Sequence, residues 1–335
     1  AENFISENAH FCKSALSRFT QWDFLEMIHA QNIPYHEREH GQLFCNESAR
    51  DILNMLLSEC DKVGVDIQLK ADIQSIKKHA ELGFMVKTKA QEIHTQSLVI
   101  ATGGLSIPKM GATPFAYKIA EQFDIKVQPT RAGLVPFTLH VEDKEKFAVL
   151  SGLALVATIS NACQSFTENL LFTHRGLSGP VALQMSSYWQ EGEELVINLL
   201  PDLDLQQQLL QAQQEKIKLK LKNYLAHRLA KRLVSTFLQE EMLELSVLDL
   251  SHKQIQQIAQ QFNHWTIKPN GTEGYRTAEV TLGGVDCHAI SSKTLEANQV
   301  PALYFVGEAL DITGWLGGYN FQWAWASGWC AGQVV

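Results

Sequence analysis

The residues best suited to chemistry in this 335-residue chain lie near its C-terminus, in LYFVGEALDITGWLGGYNFQWAWASG, 303–328. A continuous apolar run leads into Gly307 and Glu308, an acid follows at Asp311, and Gly317 and Gly318 stand just before an aromatic helical segment. Gly307 lets backbone approach a ligand closely. Glu308 or Asp311 can accept hydrogen bonds from sugar or polyol hydroxyls. Gly317 and Gly318 clear room for a flat ring or a phosphate where Tyr319, Asn320 and Phe321 open the helix, whose first N–H groups lack intrahelical partners and carry partial positive charge. A glycine-rich turn capping a packed helix is the competing reading. The ordered combination of strand, acid and paired glycines favours a dinucleotide.

Two further segments point the same way. SLVIA runs into Ala101, Thr102, Gly103 and Gly104, small residues at a strand end that allow close contact with a cofactor. GYRTAEVTLGGV, 274–285, is strand-like and ends in Gly283 and Gly284, which suit either a close approach or a bulge. His174 and Arg175, followed by Gly176, are candidates for substrate contact or proton delivery, as are Tyr275 and Arg276. Each pair also fits an ordinary loop. His36, Glu37, Arg38, Glu39 and His40 cluster without an evident third ligand, so no metal is expected. Trp315, Trp323, Trp325 and Trp329 suit stacking near a ring or helical packing. Lys216, Lys218, Lys220, Lys222, Arg228, Lys231 and Arg232 form a basic stretch that reads as a solvated helix face or as a docking surface.

These groups need elements to hold them. Apolar spacing predicts a helix over 13–30, short strands at 33–36 and 42–45, and a helix from Ser48 to about Val63. Strands are expected at 66–69, 73–77, 83–87 and 92–94, then the buried strand ending at 101. Thr113-Pro114 opens another helix. From 127 to 201 short strands separated by Gly, Asn and Ser indicate an antiparallel sheet or barrel, with one helix at 178–187. Residues 203–262 hold no Gly or Pro and read as several helices. The final strand is expected to rejoin the first sheet. The outcome is an α/β protein: a discontinuous Rossmann-like domain over 1–126 and 281–335, a β-barrel-like lobe over 127–202 plus 263–280, and a helical insert over 203–262. Ligands would sit at the carboxyl ends of the parallel strands.

Composition sets bounds. The hydrophobic fraction is 45% and the charged fraction 19%, a globular balance. A net charge of −8 argues against nucleic acid or an anionic membrane as a general partner. No run approaches a membrane span of ~20 apolar residues. The six cysteines form no C-x-x-C pair, which fits reduced thiols in a cytoplasmic protein. No G-x-S-x-G elbow or P-loop is present.

The strand at 97–104, TLGGV at 281–285 and the G-E-x₂-D-x₅-G-G-Y-N-x-Q run at 307–322 together resemble the BaiN/YhiN-type bacterial flavoproteins, within the two-dinucleotide-binding-domain superfamily. LLFTHRGLSGP, 170–180, and NGTEGYRTAEVT, 270–281, resemble the same family. The resemblance covers essentially the whole chain. It implies noncovalent FAD, an inserted β-barrel lobe with a helical insert, and NADH or NADPH as electron donor. The family opens with a strand, G-x-G-x-x-G and a helix that hold the pyrophosphate, and this chain has no such motif. Its first residues resemble a point just after that unit, so the expectation is a chain lacking the pyrophosphate site, with weak or absent FAD binding by itself.

The resemblance implies an FAD-dependent oxidoreductase, an NAD(P)H-linked reductase of an unsaturated or carbonyl-bearing small molecule, with the start of the helix at 318–321 favouring negative charge on the reduced ring. Two other readings are a flavin- or nucleotide-carrying protein that docks a partner or RNA through its basic insert without turnover, and a nonfunctional fragment. Oligomeric state is left open by the sequence.

Overall fold

The structure is a computed structural model that describes residues 2–38, 41–79 and 83–335. It divides into two compact units: the first comprises residues 1–131 and 280–335, the second residues 132–279.

In the first unit, Leu98–Ile100 and Leu303–Phe305 pair in parallel, with Val99 opposite Tyr304. The C-terminal strand thus returns to the sheet that the early chain began. Both strands end at the same edge, one in Ala101–Gly104 and the other in Val306–Glu308. The helix Tyr319–Gly332 packs against this edge and against the helix Cys12–Arg18. Trp323 anchors it: the indole is 1% exposed, meets Phe11 edge-on at 6.1 Å and donates Nε1–H to the Gly307 carbonyl at 3.0 Å. Full burial of a ring this size stabilises the fold by about 2–3 kcal/mol. Phe4–Ile5 pairs antiparallel with Thr313–Gly314, and Ile73–His79, Gly83–Thr88 and Glu92–Thr95 form a three-stranded antiparallel sheet.

The helix predicted over 13–30 is two helices, Cys12–Arg18 and Gln21–Ala30. The break sits at Thr20, whose backbone N–H and hydroxyl both donate to the Asp23 carboxylate at 2.6 Å. That local cap competes successfully with continued helix. The strand predicted at 66–69 is irregular chain, because the three-stranded sheet ends at Ile73 and gives those residues no ladder.

The second unit is built on a seven-stranded antiparallel sheet in the order Trp265–Ile267, Leu195–Asn198, Ala154–Ser160, Ser165–Phe172, Gly176–Ser178, Phe137–Thr138, Gly271–Thr272. Ile159 stands opposite Phe166 on one side and Ile197 on the other, and the helix Pro180–Ser186 lies on the sheet with Val181, Ala182 and Met185 fully buried. The segment expected to be helical folds as Leu205–Gln214, Leu221–Leu225, Lys231–Phe237, Glu240–Glu244 and His252–Asn263. Asn263 ties these helices to the sheet: its side chain accepts from Leu205 N at 3.0 Å and donates to Asn198 Oδ1 at 3.0 Å and Leu203 O at 2.8 Å.

Candidate functional site

The first unit brings many of the candidate residues together at the carboxyl edge of the parallel strands. Glu308 turns inward and its carboxylate accepts the Thr281 N–H at 2.6 Å. Burial holds this carboxyl above the ordinary range, against the pull of the N–H groups that bond it. The Thr281 hydroxyl accepts from Leu105 N at 2.8 Å, and its carbonyl accepts from the Thr313 hydroxyl at 3.0 Å. Thr281, absent from the sequence-based site, is therefore the junction of three segments. Its buried hydroxyl lies so close to Gly104 that a Cβ there would collide with it.

Asp311 is 5% exposed and accepts the Glu7 N–H at 2.9 Å. Burial raises its carboxyl to about 6, with the Glu7 N–H opposing the rise and the nearby Asp286 and Glu7 charges adding to it. Both acids expected to face ligand hydroxyls thus already bond backbone N–H groups of the chain. Sequence spacing could not reveal this, because Thr281 and Glu7 are remote from them along the chain.

The glycines divide in the same way. Gly283 and Gly284 have positive φ, and a Cβ would strike the Pro129 carbonyl in the first case and the Ala309 carbonyl in the second. Their contacts are with the protein's own backbone. Gly317 and Gly318 are exposed, with φ of +111° and +93°, and a Cβ at Gly318 would meet nothing within 4 Å. No side chain caps the fourteen-residue helix that follows. The Gln42 side chain lies beside Gly317, a polar neighbour that sequence spacing did not reveal. Asn320 braces the approach, accepting from Gly314 N at 2.8 Å and donating to Gly314 O at 2.9 Å. Tyr319 accepts from the Asn3 side chain at 2.6 Å. Ala101 and Thr102 are exposed beside half-buried Gly103. An uncapped helix start, one open glycine at Gly318 and an exposed small-residue strand end fit a flat, partly anionic group such as a dinucleotide.

The tryptophans stack on protein rings. Trp325 lies between Phe24, at 3.4 Å and 9°, and Phe321, at 5.9 Å and 19°, while Phe321 itself is 68% exposed. Trp329 packs on Phe19 with Arg18 over its ring.

His174, Arg175, Tyr275 and Arg276 lie in the second unit. His174 and Arg276 are exposed. Arg175 pairs with Glu273 at 3.1 Å. The Tyr275 hydroxyl is buried and has no hydrogen-bond partner among the described residues. The His36 imidazole bonds Asn46 at 2.8 Å and Arg38 at 3.2 Å; Glu39 and His40 lie outside the described residues. No group of three His, Cys, Asp or Glu among the described residues is placed to hold a metal. No helix among the described residues is long and apolar enough to cross a membrane.

The profile of the HI0933-like protein Rossmann domain matches residues 1–334. A protein of Escherichia coli K12 named ribosomal RNA dihydrouridine synthase is 53% identical over 98% of this chain and 83% of its own length. A Haemophilus influenzae protein of the same name is 49% identical over 97% of this chain and 82% of its own. The 3-dehydro-bile acid delta(4,6)-reductase of Clostridium scindens is 23% identical over 100% of this chain and 85% of its own. The chain belongs to the HI0933-like Rossmann-domain family, a family of flavoprotein-type oxidoreductases.

Proposed function

We propose that this protein is a flavin-dependent reductase that saturates the base of uridine in ribosomal RNA. Dihydrouridine is uridine with its ring double bond, conjugated to a carbonyl, reduced. A delta(4,6)-reductase by name also acts on carbon–carbon unsaturation, so the two kinds of relative share one reaction type: delivery of hydride to a polarised double bond. The observation that carries the reading is the 53% identity to the dihydrouridine synthase across nearly the whole chain. This substrate departs from the expectation that the net charge of −8 sets against nucleic acid.

FAD, when bound, supplies hydride transfer, with NADH or NADPH as the electron donor. The chain's part is binding and field. Gly318 leaves the start of the helix open, Gly317 lies beside the Gln42 side chain, and the first N–H groups of the helix, at Tyr319, Asn320 and Phe321, favour negative charge placed beside them. Ala101, Thr102 and Gly103 offer a close backbone approach. Gly104, Gly283, Gly284, Gly307, Glu308 and Asp311 hold this surface in shape through the contacts described above. In the second unit, His174, Arg175, Tyr275 and Arg276 are proposed to meet substrate, with Glu273 orienting Arg175 and the Tyr275 hydroxyl uncommitted to other groups.

The test uses full-length protein. Purified with FAD it should be yellow, bleach on addition of NADH or NADPH, and add two hydrogens to uridine in ribosomal RNA from a strain lacking the enzyme, read by mass spectrometry of the digested RNA. A preparation that stays colourless with FAD defeats the cofactor assignment. One that bleaches but leaves all RNA unchanged defeats the substrate assignment.

A further inference from the structure

We propose that the cationic face of the helical insert in the second unit is an RNA-docking surface that grips the phosphate backbone; this rests on the reading of ribosomal RNA as substrate. Between residues 216 and 232 the sequence holds seven Lys or Arg and no Asp or Glu, in a chain whose net charge is −8. A polyanion is repelled by the average surface of such a protein. Binding RNA therefore requires a local region of opposite sign, and this stretch has the highest density of uncompensated positive charge in the sequence.

The fold turns that charge outward. Leu221 and Leu225 of one short helix, Leu229 between helices, and Leu233, Val234 and Phe237 of the next are all buried. Committing the apolar side of each turn to the interior leaves Lys216, Lys218, Arg228 and Lys231 exposed. Among the described residues the ion pairs of this stretch go to one acid, with Glu240 acting on Lys222 from further off. Glu244 takes both Lys220, at 2.6 Å, and Lys222, and these two bonds hold its carboxyl down to about 2. Arg232 reaches the carbonyls of Val149 and Ser151. Lys216, Lys218, Arg228 and Lys231 have no ion-pair partner among the described residues.

The type of partner follows from what else the face presents. Across 203–262 the only large apolar side chain exposed among the described residues is Leu219, at 37%. A membrane-binding helix needs an apolar face to insert, and a protein-docking patch is anchored by large aromatic or aliphatic groups. Cations on long flexible stems without such anchors suit phosphate contacts, which position a nucleic acid without reading its sequence.

The experiment measures binding of full-length protein to a fluorescein-labelled mixed-sequence RNA hairpin over a series of salt concentrations. In the variant K216E/K218E/R228E/K231E, affinity should fall by about 100-fold or more, and the slope of log K against log salt should become shallower by about 3. Flavin absorbance, bleaching by NAD(P)H and the melting temperature should match wild type. K216Q/K218Q should show a smaller loss in the same direction. E244Q, which releases Lys220 and Lys222, should bind the hairpin several-fold more tightly. Wild-type affinity in the quadruple variant would overturn the proposal, as would displacement of the hairpin by phosphatidylcholine–phosphatidylserine vesicles at equal charge. The two readings fail separately. If the quadruple variant binds normally while uridine is still reduced, the docking surface is wrong and the enzyme reading stands. If it loses the hairpin while wild type reduces no uridine in any RNA, the docking surface stands and the enzyme reading falls.

Discussion

In the second unit the exposed large apolar side chains are Val141, Val149, Val156 and Leu219. The first unit exposes many more, among them Trp22 at 66%, Leu53 at 54%, Val99, Met110 and Phe321. The difference follows from architecture. The second unit closes its core with one seven-stranded sheet, a helix on its face and five helices tied to it through Asn263. Buried Leu170, Phe172, Leu177 and Ile197 all rise from that sheet. The first unit distributes its strands over small sheets, mostly pairs, which are weak units without further layers. Its order comes from a helix-centred cluster around Trp323, Phe11 and Phe305 and from side-chain staples such as Glu308 to Thr281 and Asp311 to Glu7. One region closes its core over a single broad sheet, the other over a helix-centred cluster with specific bonds next to its candidate ligand surface.

The same substitution in the two units should separate these cases most clearly. Leu177→Ala, at a fully buried position, should cost about 3–5 kcal/mol in denaturant unfolding. Leu53→Ala, on the exposed face of the helix Arg50–Lys62, should cost less than about 1 kcal/mol. Equal costs would break the comparison.

Backbone sites sharpen it. Gly283→Ala in the first unit meets both a left-handed backbone and the Pro129 carbonyl, and should lose about 2–3 kcal/mol. Gly192→Ala in the second unit is equally left-handed but open, so about 1 kcal/mol is expected. Thermal melting of both variants tests whether close backbone contact, rather than φ, dominates.

The buried acid of the first unit gives a pH signature. The folded Asp311 carboxyl lies at about 6, above its unfolded value near 4, so the folded chain holds a proton that the unfolded chain releases in between. Its contribution to stability is full below about pH 4 and is lost as pH rises through 6. Asp311→Asn should remove a decline on the order of 2 kcal/mol between those limits. An unchanged pH profile would count against the burial of this carboxyl.

The smallest effect belongs to caps. Ser251 N donates to Gln254 Oε1 at 2.8 Å, and the Ser251 hydroxyl accepts the Gln254 N–H at 3.3 Å. Ser251→Ala should cost about 1 kcal/mol, seen as faster hydrogen exchange confined to the first turn of His252–Asn263. A cap is local, and a loss spread over the whole second unit would show that its helices are less independent than the sheet.

Much of the candidate surface was legible in the sequence because it is made of local order. A buried strand, glycines and a following helix occur in sequence from 303 to 332, and 3.6-residue and two-residue periodicities mark the elements on either side. The break at Thr20 was legible in principle, since T-x-x-D is a local cap signal that the longer apolar periodicity of 13–30 concealed. The irregular chain at 66–69 was not, because a strand exists only where a neighbour offers a ladder.

By itself the sequence determined which residue types are available for chemistry, where charge accumulates and in what order strand, acid and glycine follow one another. These are properties of neighbours along the chain. Only the tertiary structure decided what each does: that Glu308 and Asp311 bond distant N–H groups, that Gly283 and Gly284 clear a path for Pro129 and Ala309, that Gly318 stays open, and that Glu244 silences two of seven cations. A hydrogen bond or a collision depends on distance in space, and segments hundreds of residues apart reach that distance only after the core has closed.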